Sequence, residues 1–167
     1  MPISFDRGHD IRIGTPPEAV FDYVCNPNSW PEWLAASHRI DSADRALKSG
    51  ETFREQWHIR RGEVVLNWTV TESDRPHAWT VEADTDFIGP IVIRYTFERE
   101  GGVTKYTRHL SNPRRPTAPS DEQVQRMDEE AVVALANIKR QVEQRVAQIS
   151  GPTSMNSRIA VRVDREK

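Results

Sequence analysis

Two charged side chains interrupt otherwise apolar stripes, and chemistry would centre on them. In the run from Gly50 to Arg60, Phe53, Glu55, Trp57 and Ile59 share one side, and Arg54, Gln56, His58 and Arg60 the other. In a later run Arg108 falls on the same stripe as Thr104, Tyr106 and Leu110. A carboxyl group in an apolar setting has its pKa pushed toward neutrality and can then serve as a general base. A guanidinium there can hold the polar end of an otherwise apolar molecule. Burying either charge alone would cost on the order of several kcal/mol. Glu55 and Arg108 are therefore paired with each other, or line a wet cavity, or belong to a strand whose phase is off by one residue, which would turn the whole stripe to solvent. They are the catalytic candidates, and the hydroxyls of Tyr95 and Tyr106 are further polar groups on inward stripes.

Other chemistries lack their residues. The histidines are His9, His38, His58, His77 and His109, and none has zinc-type spacing to another His, Cys or carboxylate, so no metal is expected. There is no glycine-rich phosphate loop, no Gly-x-Ser-x-Gly elbow and no local Cys-His pair, so no cofactor and no Ser or Cys nucleophile is expected. The one cysteine, Cys25, closes an apolar run from Val20 and reads as a small buried hydrophobe. A net charge of −2 and a pI near 6.2 argue against nucleic acid as the partner. No apolar stretch is long enough to span a membrane, and the first residues lack a signal peptide's apolar segment, so a cytoplasmic location is expected.

The elements that must position these groups follow from the pattern. At 167 residues the chain fits one domain able to bury roughly 70% of its unfolded surface. Hydrophobic residues at 37%, including five Trp, allow a core without metals or disulfides. Ile11-Arg12-Ile13 reads as a strand. A helix should follow, with Thr15 as cap, Pro16-Pro17 in its first turn and Glu18 completing a capping box. Asn26-Pro27-Asn28 stops it, and Ser29 should cap a second short helix with Pro31 in its first turn. Five alternating runs come next, over 50–60, 64–71, 79–84, 91–97 and 104–110, with short turns that imply an antiparallel meander. Gly89-Pro90 should bend the fourth run. Pro113, Pro116 and Pro119 make a stiff connection. Ser120 to Gln123 then caps a long helix whose stripe is Val124, Met127, Ala131, Leu135, Ile138, Val142 and Ile149, ended by Gly151-Pro152. Sheet and helix each have one apolar face, and the two must meet, giving an α+β domain over 1–150. Residues 151–167 read as a tail. Alternation of Ile159, Val161 and Val163 would let it add a strand to a sheet edge or to a second copy, which leaves a homodimer open.

The order of these pieces resembles the helix-grip fold of the START-like, or SRPBCC, superfamily, which includes lipid-transfer domains, pollen-allergen-like proteins and polyketide cyclases/dehydrases. The likeness rests on Ile11-Arg12-Ile13, on Thr15 to Val24, on Trp30-Pro31-Glu32-Trp33, and on Gly50 to Phe53, Trp68 to Glu72, Tyr95 to Glu98 and Tyr106 to Arg108, and it covers about residues 9 to 148. The resemblance implies a curved antiparallel sheet wrapped around a long C-terminal helix, with two short helices after the first strand and a ligand cavity between. The expected lining is Trp33, Phe53, Glu55, Trp57, Trp68, Trp79, Ile93, Tyr95, Tyr106, Arg108, Met127, Ala131 and Leu135, against the alternative that these residues fill a solid core. Three functions fit: a holder of a small hydrophobic molecule such as a lipid, polyketide or aromatic metabolite; a metal-free cyclase or dehydratase using Glu55, Arg108 or a tyrosine; and an interaction domain working through its tail. Fold alone does not choose among them.

Overall fold

In the computed structural model, residues 1–150 are described. The expected tail with its Ile159, Val161 and Val163, the Gly151-Pro152 stop and the side chain of Ile149 lie outside the described residues. The elements run β1 (Ile3–Ile13), α1 (Pro17–Val24), a single 3-10 turn (Pro27–Ser29), α2 (Trp30–Trp33), β2 (Ser37–Asp41), β3 (Thr52–Ile59), β4 (Gly62–Asp74), β5 (Ala78–Ala83), β6 (Ile91–Glu100), β7 (Val103–Arg115) and α3 (Asp121–Ser150).

The strands form one antiparallel sheet in the order β1-β7-β6-β5-β4-β3-β2. The meander of β3 to β7 matches the five alternating runs, but the sequence pattern missed two features. Strand β1 starts eight residues before Ile11, at Ile3, because its inward positions include Arg7 and His9 and so hide the apolar period. Strand β2 has no apolar alternation of its own; it exists because its backbone pairs with the edge of β3. Gly89-Pro90 lies in the loop before β6 rather than within a strand. Gly89 takes φ +72°, and a Cβ there would sit 2.9 Å from the Arg114 carbonyl oxygen, so the loop needs glycine at this close approach. Pro113 belongs to the end of β7, leaving Pro116 and Pro119 in the connection.

Two helix caps also differ from expectation. Thr15 does not cap α1: Pro16 is the N-cap residue and gives no side-chain bond. With prolines at 16 and 17 the first turn has fewer N–H groups to satisfy. Thr15 instead accepts the Thr104 hydroxyl on its carbonyl at 2.7 Å, and Glu18 pairs with Arg99. Ser29 gives α2 no side-chain cap either; its hydroxyl accepts from Trp33 Nε1 at 3.2 Å. On α3, Ser120 and Gln123 do form a reciprocal capping box, at 3.1 and 2.8 Å.

The core sits between the concave face of the sheet and the helices. Trp30 is its hub. Ring centroids of Phe53, Trp68, Trp79 and Trp33 lie 5.2, 5.9, 6.3 and 6.1 Å from it, the first three edge-on. Its indole N–H donates to the Val24 carbonyl at 3.0 Å, so the buried polar handle is satisfied. Leu135, Ile138 and Val142 of α3 close this block. No helix among the described residues is long and apolar enough to cross a membrane.

Candidate functional site

Beside that packed block lies a cavity of about 260 Å³, between the sheet and the first half of α3. Strand periodicity supplies most of its wall. Arg7 and His9 come from alternate positions of β1, Trp57 and Ile59 from β3, and Arg108 and Leu110 from β7. Strands β1 and β3 stand near opposite ends of the sheet order, yet both line this one space, so the sheet curls around α3. The helix contributes Met127, Glu130, Ala131 and Ala134, one stripe at three- and four-residue steps. The two alanines leave the room that Leu135, Ile138 and Val142 fill farther along. Ile88, Ile91, Leu34 and Ala36 complete the apolar part, and Asn112 and Arg115 the polar end.

Of the expected lining residues, Trp57, Arg108, Met127 and Ala131 border this cavity. Trp33, Phe53, Trp68, Trp79, Ile93, Tyr95, Tyr106 and Leu135 are buried in the solid block next to it, and Glu55 lies among them at 1% exposure. Large aromatic rings at inward positions fill space as readily as they frame it, and these rings pack on one another. Arg7, His9, Asn112, Arg115 and Ala134 escaped the sequence reading. The signal for the first two was present: the alternation of Ile11 and Ile13 extends back through His9, Arg7, Phe5 and Ile3.

The buried polar groups converge on one place. Glu55 accepts from Trp68 Nε1 at 2.9 Å through one oxygen. Among the described residues, the buried side-chain polar atoms without a hydrogen-bond partner are Glu55 Oε2, Ser37 Oγ, Trp57 Nε1, Arg108 Nε and the hydroxyls of Tyr95 and Tyr106. These groups are neighbours. Burial raises the Glu55 carboxyl above its ordinary range, opposed by Ser37, Trp68, the Arg108 charge and Trp57. Ser37 and Trp57 act on that charge from close by without completing a hydrogen bond of good geometry. Arg108 stands opposite Tyr95 on β6 and His9 on β1, with its guanidinium carbon 5.9 Å from the Trp33 ring centroid. Burial pushes both tyrosine hydroxyls up, so they stay neutral donors. Glu55 and Arg108 thus both face inward and feel each other's charge, but no ion pair forms between them.

The remaining charges at the cavity are arranged around Asp128 of α3. It receives Arg7 Nε at 2.9 Å and His9 Nε2 at 2.7 Å, which hold its carboxyl far below the usual range. Elsewhere, His38, His58 and Glu63 bring three ligand-type atoms within 4.8 Å of one another on the exposed face of β2, β3 and β4. Sequence spacing hid this group because each member comes from a different strand. Both Glu63 oxygens are already engaged, one by Gln56 Nε2 at 2.5 Å and one by His58 Nδ1 at 2.7 Å.

Comparison with known proteins agrees with this architecture. Among solved structures, the Streptomyces aromatase/cyclase Zhui is similar with a TM-score of 0.71 and 11% identity, over 89% of this chain and 99% of that one. Ara h 8.0201 is similar at 0.65 and 13%, over 84% and 99%. The di-domain ARO/CYC BexL is similar at 0.65 and 16%, over 84% of this chain but 50% of its own. Identities this low speak for the fold alone. No curated protein sequence matches the chain. The family described as polyketide cyclase / dehydrase and lipid transport matches residues 8–143. With a helix-grip architecture and a family match over most of its length, the chain belongs to the polyketide cyclase/dehydrase and lipid transport family.

Proposed function

We propose that the protein holds one small hydrophobic molecule in the cavity beneath the first half of α3. The carrying observation is a space of about 260 Å³ with mainly apolar walls, left open by Ala131 and Ala134 next to a densely packed core. Such pockets usually measure ~300–1,000 Å³. This one is at or below the small end, which favours a guest of one or two rings or a short acyl chain over a long polyketide or a two-tailed lipid.

A metal-free cyclase or dehydratase acting in the same cavity is the second reading, favoured by the raised carboxyl of Glu55 beside Arg108. A general base must come within hydrogen-bond reach of its proton, directly or through one water. Glu55 is 1% exposed and does not border the cavity, so holding is the stronger reading.

Fluorescence titration with N-phenyl-1-naphthylamine, a neutral apolar probe, tests it. The wild type should take up one probe per chain. Ala131→Leu fills the space with three extra carbons and displaces no packed neighbour, so it should weaken uptake about tenfold or more while the thermal midpoint holds or rises. Equal uptake by the variant would place the probe elsewhere and defeat the reading.

A further inference from the structure

We infer that the guest is an anion, an apolar body carrying one carboxylate that is held by Arg108. This rests on the cavity reading above and deepens it. The wall carries four basic side chains, Arg7, His9, Arg108 and Arg115, against one acidic residue, Glu130 at the exposed rim. Asp128 answers Arg7 and His9 together. Among the described residues, Arg108 and Arg115 make no ion pair.

These two arginines differ in what they still offer. Arg115 is 8% exposed, and its Nε and Nη1 already donate to the Thr117 carbonyl at 3.0 Å and to Asn112 Oδ1 at 3.3 Å. It adds positive potential from one end. Arg108 borders the cavity half-buried, and its Nε has no acceptor of good geometry, with only the Tyr95 hydroxyl acting on it from close by. Glu55 acts on it only through space, with one oxygen committed to Trp68. A half-buried guanidinium with no ion-pair partner in a mainly apolar wall is unfavourable until an anion completes it. A carboxylate matches its fork geometry, and the low local dielectric strengthens the contact. A neutral apolar guest would leave that charge unanswered.

The experiment compares 2-naphthoate with 2-naphthamide, which has the same shape without the charge, by isothermal titration calorimetry. Naphthoate should bind the wild type about tenfold or more tightly than the amide. Arg108→Met keeps an apolar stem of similar length and should abolish that preference by weakening naphthoate far more than the amide. Arg108→Lys keeps the charge without the fork and should retain part of it, which covers the case in which the methionine variant fails to fold. Arg115→Met should lower the preference less than Arg108→Met. Equal affinities, a tighter amide, or a preference that survives in both Arg108 variants would overturn the proposal. If naphthoate fails to bind a protein that takes up N-phenyl-1-naphthylamine, the anion proposal falls and the cavity reading stands; if no probe binds, both fall.

Discussion

At Glu55 one oxygen accepts from Trp68 Nε1 while the other has no partner, in a setting that raises the carboxyl's pKa. The folded state therefore keeps a proton that the unfolded chain releases near the ordinary carboxyl value of about 4.3. Linkage gives the sign: the contribution is fully present below the unfolded pKa and is lost as pH rises from there through the folded pKa. Glu55→Gln keeps an acceptor for Trp68 and removes the titration. Urea midpoints measured from about pH 4 to pH 8 should fall more steeply for the wild type than for the variant, with the variant ahead at the upper end. Parallel curves would mean that the carboxyl stays at its ordinary value and is better solvated than its burial implies. That Glu55 and Arg108 face inward was legible from the sequence, because alternation fixes the side of a strand a residue occupies. Arg7 and His9 were not, because a polar residue at an inward position breaks the very period by which the strand is found.

The same limit governs the elements. Strands β3 to β7 and helix α3 could be read because each buries one apolar face, and burial writes a period of two or of three to four into the chain. Strand β2 buries almost nothing, and its order comes from β3. Periodicity also cannot tell a filled interior from a hollow one. The aromatic positions expected to frame a cavity pack around Trp30 instead, and the room lies where α3 carries Ala131 and Ala134. This division makes a prediction at the level of elements. The aromatic block joins α1 and α2 to the sheet, and Trp30 is buried to 1% at its centre. Trp30→Ala removes the ring contacts and leaves a void the neighbours cannot fill, at a cost of roughly 3–5 kcal/mol. Chemical denaturation should read that loss, and a cost under about 1 kcal/mol would mean that the block collapses freely around the gap.

For the whole molecule, the decisive relation is between the curled sheet and α3. The helix approaches β1, α1 and α2 most closely, and the cavity lies where it stands off from the rest of the sheet. Polar ties hold it there at several points along its length. Asp128 takes Arg7 and His9 of β1; farther on, Lys139 donates to the Arg12 carbonyl at 3.2 Å, Glu143 accepts from the Gly14 N–H at 2.7 Å, and Arg145 pairs with Glu32 of α2 at 2.8 Å. The apolar stripe packs the second half of the helix, whereas over the cavity Asp128 is the main tie between helix and β1. Exposed ion pairs add little to global stability, but a local tie over a cavity sets how readily that cavity opens. Asp128→Asn should therefore leave the thermal midpoint nearly unchanged and speed the release of N-phenyl-1-naphthylamine several-fold in stopped-flow displacement. A neutral probe is needed, because the substitution also frees Arg7 and His9 and would draw an anion more strongly for a separate reason. An unchanged release rate together with a lower midpoint would assign Asp128 to holding the fold together and leave the cavity to open by some other movement. Because Arg7 and His9 hold the Asp128 carboxyl so far down, the wild-type tie should persist through mildly acidic buffer, and the rate difference between the two proteins should be the same there as at neutral pH.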